Sequence, residues 1–228
     1  MRDGSCFVTG TDTGVGKTLV ACALVLAFCA RGLRVAALKP VAAGARRCDG
    51  VLHNEDVDAL HKVGTAGLAR AEVCPYVLEN ALAPHIAAQL EGVQLQPVLI
   101  QRAFERARAA SDVLVVEGVG GFRVPLAEGY DTADLACSFA LPVVLVVGLR
   151  LGCLNHAALT AEAIAARGLA LAGWVGNSID PRMAQPEHNL ETLARLLPAP
   201  CLGVLPWMAS PDAHDAARRL DVLPLLDV

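Results

Sequence analysis

The sequence predicts an α/β fold, a mostly parallel sheet flanked by helices on both faces. Three features carry this. Short apolar runs alternate with longer stretches of helical period. The runs are continuous, as in "DVLVVEG" and "LPVVLVVG", which marks strands buried on both faces. Glycines and polar residues collect where the runs end, and that is the edge on which ligands of a parallel sheet bind.

In chain order, strands are expected at 5–9, 34–38, 112–117, 142–148, 171–175 and 201–205, with helices at about 16–31, 54–63, 97–110, 153–167 and 187–196. The first strand opens into "GTDTGVGKT", and the second runs into Lys39. The third ends at Glu117, before Gly118, Val119, Gly120 and Gly121. The fourth ends at Gly148, ahead of "LRLGCLNH"; the last two finish towards Asn177 and Pro206. Residues 19–30 have the hydropathy of a signal-peptide core, but they are too short to span a bilayer and follow a strand and a glycine loop. They read as a buried helix.

With 228 residues, 54% of them hydrophobic, the chain suits one domain over 1–228 with a substantial core. Charged residues make up only 18% and the net charge is −4, so there is no basic footprint for nucleic acid or an acidic membrane surface. Eight cysteines lie scattered without any C-x-x-C, several inside apolar runs, which points to a reducing, cytoplasmic setting. The six histidines show no metal-ligand spacing with one another or with those thiols, which argues against zinc.

"GTDTGVGKTLV" departs from the usual spacing of a phosphate loop, which wants glycine at position 11; the chain has Thr11 there and Gly10 one step early. Its context supplies what the spacing lacks. Thr13, Gly14, Val15, Gly16, Lys17, Thr18 and Leu19 stand between a strand and a helix start, where backbone N–H groups wrap a phosphate. Lys17 would reach the β/γ-phosphates and the Thr18 hydroxyl would hold Mg²⁺.

The chain has only three lysines against sixteen arginines, and two of them, Lys17 and Lys39, fall on the ligand edge; Lys62 reads as part of a solvated helical face. Magnesium at a nucleotide needs one or two carboxylates besides the loop hydroxyl. Glu117 closes a buried strand, where its charge requires a cation, and is the best metal candidate. Asp56 and Asp58, in "HNEDVDAL", are weaker, since an acid near a helix start is as often a cap or dipole partner. Cys153 and His156 lack an orienting acid for nucleophilic chemistry; Asn155 and the N–H groups around Gly152 suit a carboxylate instead. Arg46 and Arg47 read as an exposed charge pair, with an anion contact as the alternative.

Taken together, "VTGTDTGVGKT", "LKPVAAG", "VEGVGG", "LGCLNHAALT", "AGWVGN" and "LPW" span residues 8–207, in the order and approximate spacing of the dethiobiotin synthase family, and the chain resembles that family over nearly its whole length. The resemblance implies a single ATP-dependent ligase domain of P-loop NTPase-like fold. It implies closure of a cyclic urea on 7,8-diaminononanoate with CO₂ (or bicarbonate), in a homodimer whose substrate site lies at the subunit interface. It implies Lys39 and Lys17 as catalytic lysines and Thr18, Asp56 and Glu117 as the Mg²⁺ set. The ATP site would add the loop residues, Gly118, Val119 and Gly120, with Asn177, Ser178, Pro206, Trp207 and Met208 at the adenine edge. The substrate would be met by Ala43, Gly120, Gly152, Cys153, Leu154 and Asn155.

Two departures stand out, because the family pattern has serine where this chain has Ala43 and commonly serine where it has Ala83. Ala43 offers no hydroxyl, which predicts a weaker grip on the diamine. The competing readings are a related P-loop amidoligase or small-molecule kinase and, less favoured, a switch ATPase of the kind that positions division or partition machinery. The last carries an extra lysine early in the loop, and Gly10, Thr11 and Asp12 have none.

Overall fold

The computed structural model describes residues 3–226. In chain order it runs β1 Cys6–Gly10, α1 Lys17–Cys29, β2 Val35–Leu38, β3 Val41–Ala42, β4 Arg46–Cys48, β5 Val51–His53, α2 Glu55–Val63, α3 Arg70–Val73, β6 Tyr76–Val77, α4 Pro84–Leu90 and α5 Pro97–Ala109. It continues through β7 Val113–Glu117, β8 Pro125–Ala127, β9 Tyr130–Asp131, α6 Thr132–Phe139, β10 Val143–Leu149, α7 Cys153–Ala166, β11 Leu171–Ser178, α8 Pro186–Leu196, β12 Cys201–Leu205, α9 Ala213–Ala217 and α10 Leu223–Leu226.

The six expected strands form one sheet in the order β12-β11-β10-β1-β7-β2, and every neighbouring pair is parallel. β1 therefore lies inside the sheet, between β10 and β7. The loop that follows it opens at an edge shared with the ends of both.

The unbroken apolar runs have their reason in the packing. Along β10, Val144 and Val146 join the core under α1, while Leu145, Val147 and Leu149 face the cluster that includes Cys153 and Ala157 of α7 and Leu193 of α8. A strand covered on both sides has no solvent face to mark with polar residues. On the side of α5 and α6, Phe104 and Phe139 stack with ring centroids 4.3 Å apart. The expected buried helix is α1, where eight of thirteen residues are buried. Among the described residues no helix is long and apolar enough to cross a membrane.

Three differences from the sequence reading have physical causes. β11 continues to Ser178 rather than stopping at 175, although Gly173 and Gly176 weaken its strand signal. A Cβ at Gly173 would meet Leu202 at 2.6 Å, so that glycine admits a neighbouring side chain. The helices α4 and α6 were not expected; they have seven and eight residues, about two turns, too few for a period to register. Their ends did carry signals: Pro84 opens α4, and the Asp131 side chain accepts the N–H groups of Ala133 and Asp134 to cap α6.

Candidate active site

The misplaced glycine of the loop is explained by what lies beneath it. Val15 is buried, and a Cβ on Gly10 or on Gly148 would come within 2.6 or 2.7 Å of its side chain. Gly10 thus makes room for Val15 under the loop. Gly16, with φ of +88°, turns the chain into α1, and a Cβ there would meet Asn177 Nδ2 at 2.2 Å. Asn177 itself is buried and donates to the Val15 carbonyl at 2.8 Å, holding the loop from below.

From this loop Lys17 and Thr18 enter a cleft of about 790 Å³ at the C-terminal edge of the sheet. Its walls include Thr13, Gly14, Gly16, Lys39, Ala43, Asp56, Glu117, Val119 and Gly120. The lining also includes the approach to α4, from Ala81 to Pro84, so both alanines that replace family serines, Ala43 and Ala83, line the cleft. Residues 81, 82 and 84 had not been expected at the site.

The charges in the cleft are closely matched. Lys39 Nζ lies 2.6 Å from Glu117 Oε1 and 2.9 Å from Asp56 Oδ2. Burial works against the lysine charge, but the attraction of Glu117 and then Asp56 exceeds it and holds the Lys39 pKa above its usual value. Burial also opposes the charge of Lys17, and with the nearby Lys39 it depresses that ammonium, although Glu117 pulls the other way. For Asp56, burial favours the neutral acid, yet Lys39, with Thr18 and Lys17, outweighs it and keeps the carboxyl below its ordinary range.

Asp56 is aimed by its cap. Asn54 accepts from the N–H groups of Asp56 and Val57 at the start of α2 and donates to the Ala43 carbonyl at 3.2 Å, which pins the helix start to the loop after β3. Asp58 points elsewhere, to Arg70 at 2.5 Å and His53 at 3.5 Å. Of the two candidate acids, Asp56 is therefore the one in the cleft. Arg47 pairs with Glu79 at 3.0 Å, Arg46 is exposed, and Lys62 is exposed on α2.

A divalent cation fits these donors. The Thr18 hydroxyl has one proton but lies 2.7 Å from Asp56 Oδ1 and 2.8 Å from Glu117 Oε1. Glu117 Oε2 is buried without a hydrogen-bond partner. A hydroxyl facing two carboxylates, beside an orphaned carboxylate oxygen, is a hard all-oxygen set of the kind magnesium takes.

The remaining expected site residues sit around this cleft rather than in its walls. Leu19 is partly buried on α1, and Gly118 is buried behind β7. Asn177 pairs in register with Leu205, which brings Ser178 and the segment Pro206, Trp207 and Met208 to the same edge of the sheet; Trp207 is 50% exposed. The turn Gly152 to Asn155 begins α7 beside Leu151, which is 96% exposed. The Cys153 side chain is buried in the core and its N–H donates to the Arg150 carbonyl at 3.0 Å, so the first-turn amides of Leu154 and Asn155 are the ones without an intrahelical acceptor.

A family model described as an AAA domain matches residues 5–214. An ATP-dependent dethiobiotin synthetase of Ralstonia nicotianae is 54% identical over 97% of this chain and 96% of its own length. A second, from Aromatoleum aromaticum, is 53% identical over 94% of this chain and 95% of its own. Among solved structures, the septum site-determining protein MinD of Pyrococcus horikoshii superposes with a TM-score of 0.54 at 19% identity, covering 89% of this chain and 81% of that one. A ParA family ATPase of Chlorobium tepidum gives 0.54 at 12%, covering 97% and 89%. These last two likenesses are of fold alone.

Proposed function

The chain belongs to the ATP-dependent dethiobiotin synthetase family, and on that premise we propose how its cleft carries out the ligation. The enzyme is an ATP-dependent ligase, whose family identity implies diaminononanoate and CO₂ as substrates. One observation carries the assignment of roles: Lys17, Lys39, Thr18, Asp56 and Glu117, distant in sequence, line one cleft.

In the route we assign, one amine of the diamine adds to CO₂ and loses a proton, giving a carbamate. A carbamate oxygen then takes the γ-phosphoryl group as ADP leaves. The second amine attacks the carbonyl carbon of that mixed anhydride, phosphate departs, and the ureido ring closes. Carbamate, phosphoryl group and the ATP tail are all anions, so their approach requires compensating charge.

Lys17 and the amides of the loop would hold the β/γ-phosphates. Lys39, kept charged by its two acidic neighbours, would face the carbamate and the transferring phosphoryl group. Thr18, Asp56 and Glu117 would hold Mg²⁺, which when bound supplies positive charge next to the phosphates. Asn177, Ser178 and the 206–208 segment would border the adenine. The turn before α7 would receive the substrate carboxylate in a homodimer; the exposure of Leu151 and the place of that turn outside the cleft walls support a second copy there. Eight unpaired thiols support a reducing compartment.

The direct test is incubation with ATP, Mg²⁺, bicarbonate and diaminononanoate, reading product mass and ADP. ADP release that depends on both bicarbonate and the diamine is expected; release independent of bicarbonate would point to a kinase instead.

A further inference from the structure

The phosphate loop is fastened to the end of β10 and the turn beyond it at three points. The Thr11 N–H donates to the Val146 carbonyl at 3.0 Å, and Thr11 Oγ1 accepts the Gly148 N–H at 3.4 Å. These two bonds end on the strand itself. The third reaches past it: Arg150 Nη2 donates to Asp12 Oδ2 at 2.6 Å.

Asp12 is the hub of the loop. Its Oδ1 accepts the Thr13 N–H at 2.7 Å, and its main-chain carbonyl accepts Lys17 Nζ at 3.0 Å. Arg150 is equally placed on its own side. It lies two residues before Gly152, whose φ of +95° turns the chain into α7, and its carbonyl accepts the Cys153 N–H at 3.0 Å. Arg150 therefore touches the phosphate loop through its guanidinium and the first turn of α7 through its backbone.

We propose that Arg150 is a positioning residue that links the anchoring of the nucleotide phosphates on the loop to the anchoring of the substrate carboxylate on the α7 turn, so that each ligand tightens the other. The proposal rests on the assignment of those two ligands given above. An ion pair with both side chains about half exposed contributes little to stability, so its removal leaves the fold intact. Its geometry is another matter. A ligand that orders one turn restricts Arg150 and, through Asp12, the amide of Thr13; by linkage, ordering the loop must favour the turn by the same factor.

The test is calorimetric titration of a non-hydrolysable ATP analogue, with and without saturating diaminononanoate. In the unaltered enzyme the diamine is expected to tighten the analogue by about fivefold or more. In Arg150→Gln that factor should fall to near one, while binding of the analogue alone changes by about twofold at most. Arg150→Lys should retain part of the factor, because a single charged donor can still reach Asp12. Asp12→Asn, whose amide oxygen can still accept from Thr13, should lose the coupling factor as Arg150→Gln does, whatever its effect on the analogue alone, and the double variant should lose no more of that factor. The proposal is overturned if the diamine has no effect on the unaltered enzyme, or if Arg150→Gln keeps the full factor. Failure of the unaltered enzyme to bind the analogue at all would instead remove the loop assignment on which the proposal stands.

Discussion

Lys39 and Glu117 meet at the ends of adjacent parallel strands, β2 and β7, with Nζ 2.6 Å from Oε1 and the two side chains 4% and 1% exposed. A buried pair of this kind is tolerable only while both members are present, because either charge alone is costly in a dry interior. The pair thus ties the stability of the edge to the charges that serve the chemistry.

Lys39→Ala should leave Glu117 buried without its ammonium partner, with a stability loss of about 3–5 kcal/mol in metal-free buffer. Urea denaturation should show part of that loss recovered on adding Mg²⁺, since a cation among the carboxylates replaces the missing ammonium. Turnover should fall roughly a hundredfold or more. A variant with undiminished turnover would remove Lys39 from the mechanism.

Glu117→Gln should shift the Mg²⁺ titration of activity to higher concentration, because the orphaned Oε2 gives way to a neutral amide. A superimposable titration would count against the metal role of Glu117.

Ala43→Ser places a hydroxyl in the cleft wall. If it meets the diamine, KM for that substrate should drop by about fivefold, the value of one net hydrogen bond, with little change in kcat. An unchanged KM would mean that the missing serine is not the reason for any weak binding.

Gly16→Ala combines a left-handed φ with a Cβ 2.2 Å from Asn177 Nδ2. Backbone strain of about 1–3 kcal/mol and loss of nucleotide affinity are expected. Adding Asn177→Ala relieves the clash but not the φ, so against the Asn177→Ala single variant Gly16→Ala should still cost stability in urea denaturation, though less than in the unaltered protein; no remaining cost would place the whole effect on the side-chain contact.

Alkaline stability follows from three thiols. Burial pushes Cys6, Cys22 and Cys74 up to about 12 from an ordinary 9.0. Because the folded pKa is raised, the stability is complete below about pH 9 and declines as pH rises towards 12, when the unfolded thiols ionise and the folded ones cannot. The slope is about 1.4 kcal/mol per pH unit for each thiol. Urea melts at pH 8, 9 and 10 should show this decline, and replacing the three by alanine should flatten it. A slope identical in the triple variant would assign the decline to other groups.

Six strands, the buried α1 and the loop from Gly10 to Thr18 were legible because each is written in one continuous run of four to thirteen residues. Apolar continuity marks a doubly covered strand, and a glycine-rich turn before a helix marks an anion cradle. The short helices α4 and α6 and the wall at Ala81 to Pro84 were not, since two turns carry too little period to distinguish from a loop. Nothing local marks Arg150 as a partner of the loop, whereas Asn54, directly before "EDVD", does carry a cap signal.

The sequence by itself determined which groups this protein has for its chemistry: a phosphate loop, two lysines spared among arginines, and a carboxylate at the end of a buried strand. Only the tertiary structure decided which of them meet. Lys39 finds Glu117, 78 residues away, because β2 and β7 are neighbours in the sheet. Asp56 enters the cleft and Asp58 turns to Arg70 because residues two apart on a helix point about 200° apart, and which of the two faces inward depends on how α2 is rotated against the sheet. That rotation is set by packing and by the Asn54 bond to Ala43, long-range contacts that no local pattern encodes.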